Sequence, residues 1–169
     1  MPVKNELAPW PEPSGPWERI HIDFAGPMEG WMFLIVVDAY SRWPEVVQVR
    51  SATTSSTLIE LNRMFARYGN PKTLVSDNGT QFTSTEFQRF CQENMVNHIR
   101  IPPFNPQSNG QAERFVDTFK RTFQKLKGEG VTETVIQKFL STYRSIDTMS
   151  ICSWTEITSG KLLRQTFKE

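Results

Sequence analysis

The chain has 169 residues, with 19 Lys and Arg against 18 Asp and Glu, a formal charge of +1 and two histidines. That length suits one domain with a proper core, and the balanced charge excludes both a wholly basic nucleic-acid glove and an acidic tail, so any charge signal must be local. Cys91 and Cys152 are too few for a disulfide framework and do not pair with His21 or His98 at zinc-finger spacing, and the longest apolar stretch, WMFLIVV, is too short to span a bilayer; a soluble protein of a reducing compartment is expected.

Residues 1–16 are rich in Pro, Gly and Ser and predict an extended arm, with the domain starting near Trp17. In ERIHIDF, Ile20, Ile22 and Phe24 alternate with His21 and Asp23, the pattern of a strand with one buried face. Asp23 then points away from that face, and His21 beside it reads most simply as a surface histidine. WMFLIVVDA has no alternation and predicts a strand covered on both sides; WPEVVQV adds a third strand by short turns, an antiparallel meander. TTSSTLIELNRMFARYGNP predicts a helix with Leu58, Leu61, Phe65 and Tyr68 on one face, stopped by Gly69 and Pro71. The strand KTLVSD follows.

Thr83 and Glu86 stand in capping-box spacing ahead of Phe87, Phe90 and Cys91 and predict the start of a second helix. HIRIP predicts a fifth strand, and PPFNPQSNG, full of turn formers, a loop. QAERFVDTFKRTFQKLK has helical spacing, with Ala112, Phe115, Val116, Phe119, Phe123 and Leu126 as its buried stripe. At about 100° per residue, Glu113, Lys120, Gln124 and Lys127 line one flank of that stripe. Arg114, Lys120, Arg121, Lys125 and Lys127 against the single acid Asp117 make this helix locally basic, as phosphate contacts require. A last helix, ETVIQKFLSTYR, buries Val135, Ile136, Phe139, Leu140 and Tyr143.

Three carboxylates stand out by setting: Asp23 within a strand, Asp77 at the end of one and before a tight turn, and Glu113 at the start of a helix, with 35 residues between it and Asp77. Converging on one cleft, they would form a two-metal site, and hard oxygen ligands suit Mg²⁺. Taken singly, each acid has a bland reading, Asp77-Asn78-Gly79 being good turn chemistry without a metal. Asp38 reads as a turn residue, and His98 and Cys91 as structural.

HIDFAGP, VVDAYSRWPEV, LVSDNGTQF and FNPQSNGQAERF, in this order and spacing, resemble the catalytic core of a retroviral-type integrase, within that family most like those of Ty3/gypsy-like retrotransposons. The resemblance covers about Trp17 to Arg144 and takes in the context of all three acids. It implies an α/β, RNase H-like fold, a five-stranded mixed sheet flanked by helices, which agrees with the strand and helix order read from periodicity. It implies DNA integration by a polynucleotidyl transferase: 3′-end processing with water, then strand transfer by the exposed 3′ hydroxyl, with no covalent protein intermediate. Two Mg²⁺ ions, replaceable by Mn²⁺, would be held with Asp23 between them, Asp77 completing one site and Glu113 the other. DNA contacts are implied for the 104–110 loop, with Gln107 and Asn109, and for Lys120; the basic helix adds Arg114, Arg121 and Lys127. A homodimer or higher homo-oligomer and nuclear action on element and target DNA are further implications.

The chain also departs from the family. Complete integrases carry an N-terminal zinc-binding domain and a C-terminal DNA-binding module that are not in this sequence, which predicts a core fragment or a reduced descendant. The core is expected over 17–146 and a divergent tail over 147–169, where SIDTMSICSWTEITSGK replaces the usual turn and Trp154 stands at an expected proline. Two other readings therefore remain open: a domesticated or decaying core serving as a non-catalytic DNA-binding or protein-interaction domain, and a ribonuclease H, for which no convincing fourth carboxylate is present.

Overall fold

A computed structural model describes residues 11–102, 112–125 and 133–146 of the chain. Three strands come first, β1 (Arg19–Met28), β2 (Trp31–Asp38) and β3 (Pro44–Val49), followed by α1 (Thr54–Tyr68), β4 (Thr73–Ser76), a single-turn α2 (Thr80–Thr83), α3 (Thr85–Glu93), β5 (Asn97–Arg100), α4 (Ala112–Lys125) and α5 (Glu133–Ile146). The strands form one mixed sheet in the order β3-β2-β1-β4-β5. The meander β1-β2-β3 is antiparallel, while β4 and β5 join parallel to β1 and to each other. Parallel neighbours need crossovers, and α1 and then α2 with α3 supply them. Residues 11–16 form bends and turns tied back to the domain: Arg19 donates to the Pro11 carbonyl at 2.7 Å and the Ser14 amide to Glu18 at 2.8 Å.

Both faces of the sheet are covered. Ile20, Ile22 and Phe24 of β1 with Leu34 and Val36 of β2 face α1, α2 and α3, where Leu61, Phe65, Phe82, Phe87 and Phe90 complete one core. Ala25, Phe33, Ile35 and Val37 face the other way, against Phe115, Val116 and Phe119 of α4 and Ile136 and Leu140 of α5. This corrects the expectation of a half-buried β1: its alternation records two environments, one purely apolar and one that also holds polar groups. His21 is accordingly not a surface residue. It is 6% exposed beneath the second layer of helices, with no hydrogen-bond partner for its Nδ1.

Local signals explain the helix ends. Thr53 accepts the Ser56 amide, Ser56 reciprocates to the Thr53 amide, and Gly69 at φ 90° closes α1 with its amide on the Phe65 carbonyl. The cap of α3 lies one residue beyond the expected Thr83. Thr83 is the last residue of α2, so the extended conformation a cap needs falls to Ser84, whose hydroxyl accepts the Phe87 amide at 3.2 Å. Asp38 is the expected turn residue: fully buried, it accepts the amides of Trp17 at 3.0 Å and Ser41 at 3.1 Å and the Ser41 hydroxyl at 2.5 Å. Among the described residues no helix is long and apolar enough to cross a membrane.

Burial holds both histidines neutral. Desolvation, with Arg19 adding repulsion, takes His21 down to about 3, and desolvation with Arg100 takes His98 down to about 4. The unfolded chain binds these protons near the ordinary histidine value of about 6.5. Stability from the neutral rings is therefore complete above that value and is lost as pH falls toward the folded values, by roughly 2 kcal/mol for the buried His21 at about pH 5 and by less for the half-buried His98. Urea unfolding at a series of pH values checks this: His98→Gln should flatten the profile, and an unchanged slope would show that His98 does not contribute.

Candidate active site

The parallel register of β1 and β4 builds the site. Arg19, Ile20 and His21 pair with Thr73, Leu74 and Val75, and two residues further along both chains come Asp23 and Asp77. Two acids far apart in sequence thus come side by side, Asp23 within β1 and Asp77 just past the end of β4. Their charges interact: Asp77 helps to raise the Asp23 carboxyl above its ordinary value. Burial is the larger cause, and the Lys120 ammonium and the Phe24 amide oppose it. The Asp23 side chain remains 32% exposed, so one edge stays open to solvent.

Each acid is held from the backbone. Asp23 Oδ1 accepts its neighbour's amide, Phe24, at 2.7 Å, and Asp77 Oδ1 accepts the Gly79 amide at 2.8 Å. The second bond is the Asx turn expected of Asp-Asn-Gly. A Cβ at Gly79 would lie 2.7 Å from the end of the flexible Gln81 side chain and 3.0 Å from Asp77 Oδ1, so a larger residue there would displace Gln81. On the opposite face, Ser76 Oγ donates to the Asp77 carbonyl at 2.9 Å and lies 2.7 Å from His98 Nε2. With the serine proton so placed, the imidazole donates through Nε2. Phe87 of α3 packs against that ring, centroids 4.9 Å apart. The strand end bearing Asp77 is thereby anchored through the sheet to α3, by residues whose sequence setting said only that they were structural.

Helix α4 carries the third acid of the sequence reading. Glu113 is its second residue, in the first turn; the side chain lies outside the described residues. Phe115, Val116 and Phe119 are buried against the sheet, while Arg114, Asp117, Arg121 and Lys125 are exposed. The flank expected to carry Lys120 does so: its Nζ lies 3.2 Å from Asp23 Oδ2. This contact spans the site and was not readable from helical spacing, which relates α4 residues only to one another. Gln107, Asn109 and Lys127 lie outside the described residues.

Among the described residues no group of three or more His, Cys, Asp and Glu side chains forms a metal cage; Asp23 and Asp77 are a pair. The donors fit a hard divalent cation: they are carboxylate oxygens, and the ammonium at Asp23 shows that its outer oxygen takes a positive charge. Asp38 fits less well, because its oxygens are engaged by turn donors.

A family model described as Integrase core domain matches residues 13–106. The chain is 48% identical over 146 residues, 86% of its length, to the uncharacterized protein K02A2.6 of Caenorhabditis elegans, of which it spans 12%. It is 29% identical over 82% of its length to the retrovirus-related Pol polyprotein from transposon gypsy of Drosophila melanogaster, spanning 13% of that protein. Among solved structures, the HTLV-2 integrase catalytic core domain, in complex with magnesium and in dimeric form, superposes with a TM-score of 0.60 at 23% identity, over 76% of this chain and 87% of that one. That likeness gives the sheet and its helices the RNase H-like fold. With a family model covering more than half its length, the chain belongs to the integrase core domain family.

Proposed function

We propose that the chain is the catalytic core of a metal-dependent DNA strand transferase, performing 3′-end processing and the joining of element ends to target DNA. The observation that carries this is the β1–β4 register, which sets Asp23 beside Asp77, with α4 bringing Lys120 onto Asp23. Asp23 and Asp77, with Glu113, would hold two Mg²⁺ or Mn²⁺ ions, which when bound activate the attacking oxygen and stabilise the leaving one.

The residues of the chain supply the rest. Buried flanks and backbone donors keep the two aspartates in place, so the negative charge that receives the cations is organised before substrate arrives. Lys120, Arg114 and Arg121, with Lys127, Gln107 and Asn109, engage the phosphates and end of the DNA. The attacking group is water in end processing and a DNA 3′ hydroxyl in strand transfer; in each, a new P–O bond forms as the bond to the leaving 3′ oxygen breaks. No side-chain nucleophile is needed. A second copy of the chain and nuclear action on chromosomal target DNA belong to the same proposal.

Disintegration of a branched DNA substrate tests the core chemistry without the rest of an integration complex. The chain should reverse strand joining in Mg²⁺ or Mn²⁺ and lose this in EDTA and in Glu113→Gln. A folded chain with no metal-dependent activity would leave the alternative, a domain that keeps the fold for DNA or protein binding.

A further inference from the structure

The ion pair between Lys120 and Asp23 joins the two halves of the site, one resting on charge from the sheet and the other on charge from α4. Two carboxylates face one ammonium here, which leaves a net negative charge where Asp23 and Asp77 meet. Asp77 Oδ1 is engaged by one backbone amide, and Asp23 Oδ2 by Lys120. The pair is open to solvent on both sides, the Lys120 side chain being 40% exposed and that of Asp23 32%. Such a pair is weakly held. A divalent cation offers the same oxygens twice the charge, whereas a lysine on a four-carbon stem can swing away without moving the helix that carries it. The helix itself is pinned, with Phe119 fully buried next to Lys120.

We propose that Lys120 is the exchangeable counterion of Asp23, displaced by a divalent cation taken up at the carboxylates and thereby delivered to a DNA phosphate, so that cation and DNA load cooperatively. The proposal rests on the metal-dependent reading above and adds a coupling to it. Coupling of this kind is reciprocal: a phosphate that captures Lys120 exposes Asp23 and raises cation affinity, as a cation at Asp23 raises DNA affinity.

Titration calorimetry with MnCl2 on the whole chain tests the exchange. Lys120→Gln should bind Mn²⁺ about fivefold more tightly than the wild type, the factor expected for removing a competing exposed ion pair. Lys120→Arg, which keeps the charge, should return affinity toward the wild-type value, and Lys125→Gln, which removes an exposed charge from the same helix without touching Asp23, should stay within about twofold. Binding of a short DNA duplex with and without Ca²⁺ supplies the second readout: Ca²⁺ should steepen the salt dependence of the wild type by about one phosphate contact more than that of Lys120→Gln. Mn²⁺ affinity equal to or weaker than wild type in Lys120→Gln, or an equal effect of Ca²⁺ on both proteins, would overturn the exchange while leaving the metal site standing. A wild-type chain that takes up no Mn²⁺, as Asp23→Asn should not, would overturn both readings.

Discussion

Replacing Asp77 by Asn is expected to abolish metal-dependent strand joining by about a thousandfold while leaving the fold intact or slightly more stable. The two effects have one cause. The carboxylate of Asp77 is exposed, and its Oδ1 is used locally only to accept the Gly79 amide, which an asparagine side-chain oxygen accepts equally well, so the turn survives. What disappears is a negative charge beside Asp23. Without cation that charge is a small cost, since after burial it helps to push the Asp23 carboxyl upward, and its removal should stabilise the protein slightly. With cation the same charge is a ligand. The wild type should therefore gain melting temperature in Mg²⁺ and Asp77→Asn should gain little, reversing their order between EDTA and Mg²⁺. Melting curves in both conditions, alongside the disintegration rate, measure this; a variant that keeps its activity would remove Asp77 from the site.

Phe119→Ala should be the most costly single change in the second core, about 3–5 kcal/mol, as expected for emptying a fully buried aromatic position. Phe119 lies against Phe33 at 6.1 Å, Phe115 at 6.2 Å and Phe139 at 5.4 Å between ring centroids, and so ties α4 to both β2 and α5. The loss is a large share of the roughly 5–15 kcal/mol that stabilises an ordinary domain. It is also a functional loss, because Lys120 is the next residue and Glu113 stands on the same helix. Phe119→Leu, which keeps most of the volume, should recover much of the stability and the activity with it. Urea unfolding measures the energy, and a cost below about 1 kcal/mol would mean that α4 does not depend on this contact.

The sequence by itself determined what local patterns can encode. Alternation in ERIHIDF, the unbroken apolar run of WMFLIVV and the helical stripe Phe115, Val116, Phe119 are short-range records of which side of each element meets a core, and they yielded the order of strands and major helices. Chain-stopping at Gly69 and turn formation at Asp77-Asn78-Gly79 are equally local, depending on backbone freedom and on side chains reaching two residues along. The family-like contexts of Asp23, Asp77 and Glu113 marked the acids for the same reason: each motif is contiguous. One boundary shifted, from Thr83 to Ser84, because a four-residue helix occupied the expected cap.

Tertiary structure decided everything that depends on pairing between distant segments. Asp23 and Asp77 are neighbours only because β4 enters the sheet parallel to β1 at a register set by Ile20 opposite Leu74. His21 is buried only because α4 and α5 cover the face that alternation marked as polar. Likewise Ser76 and His98 support Asp77 through β4–β5 pairing, and Lys120 reaches Asp23 across 97 residues because Phe119 seats α4 on the sheet. The physical reason is common to all of these: periodicity specifies the face of an element that is buried, whereas the partner it is buried against, and therefore which charges meet, is selected by the packing of the whole chain.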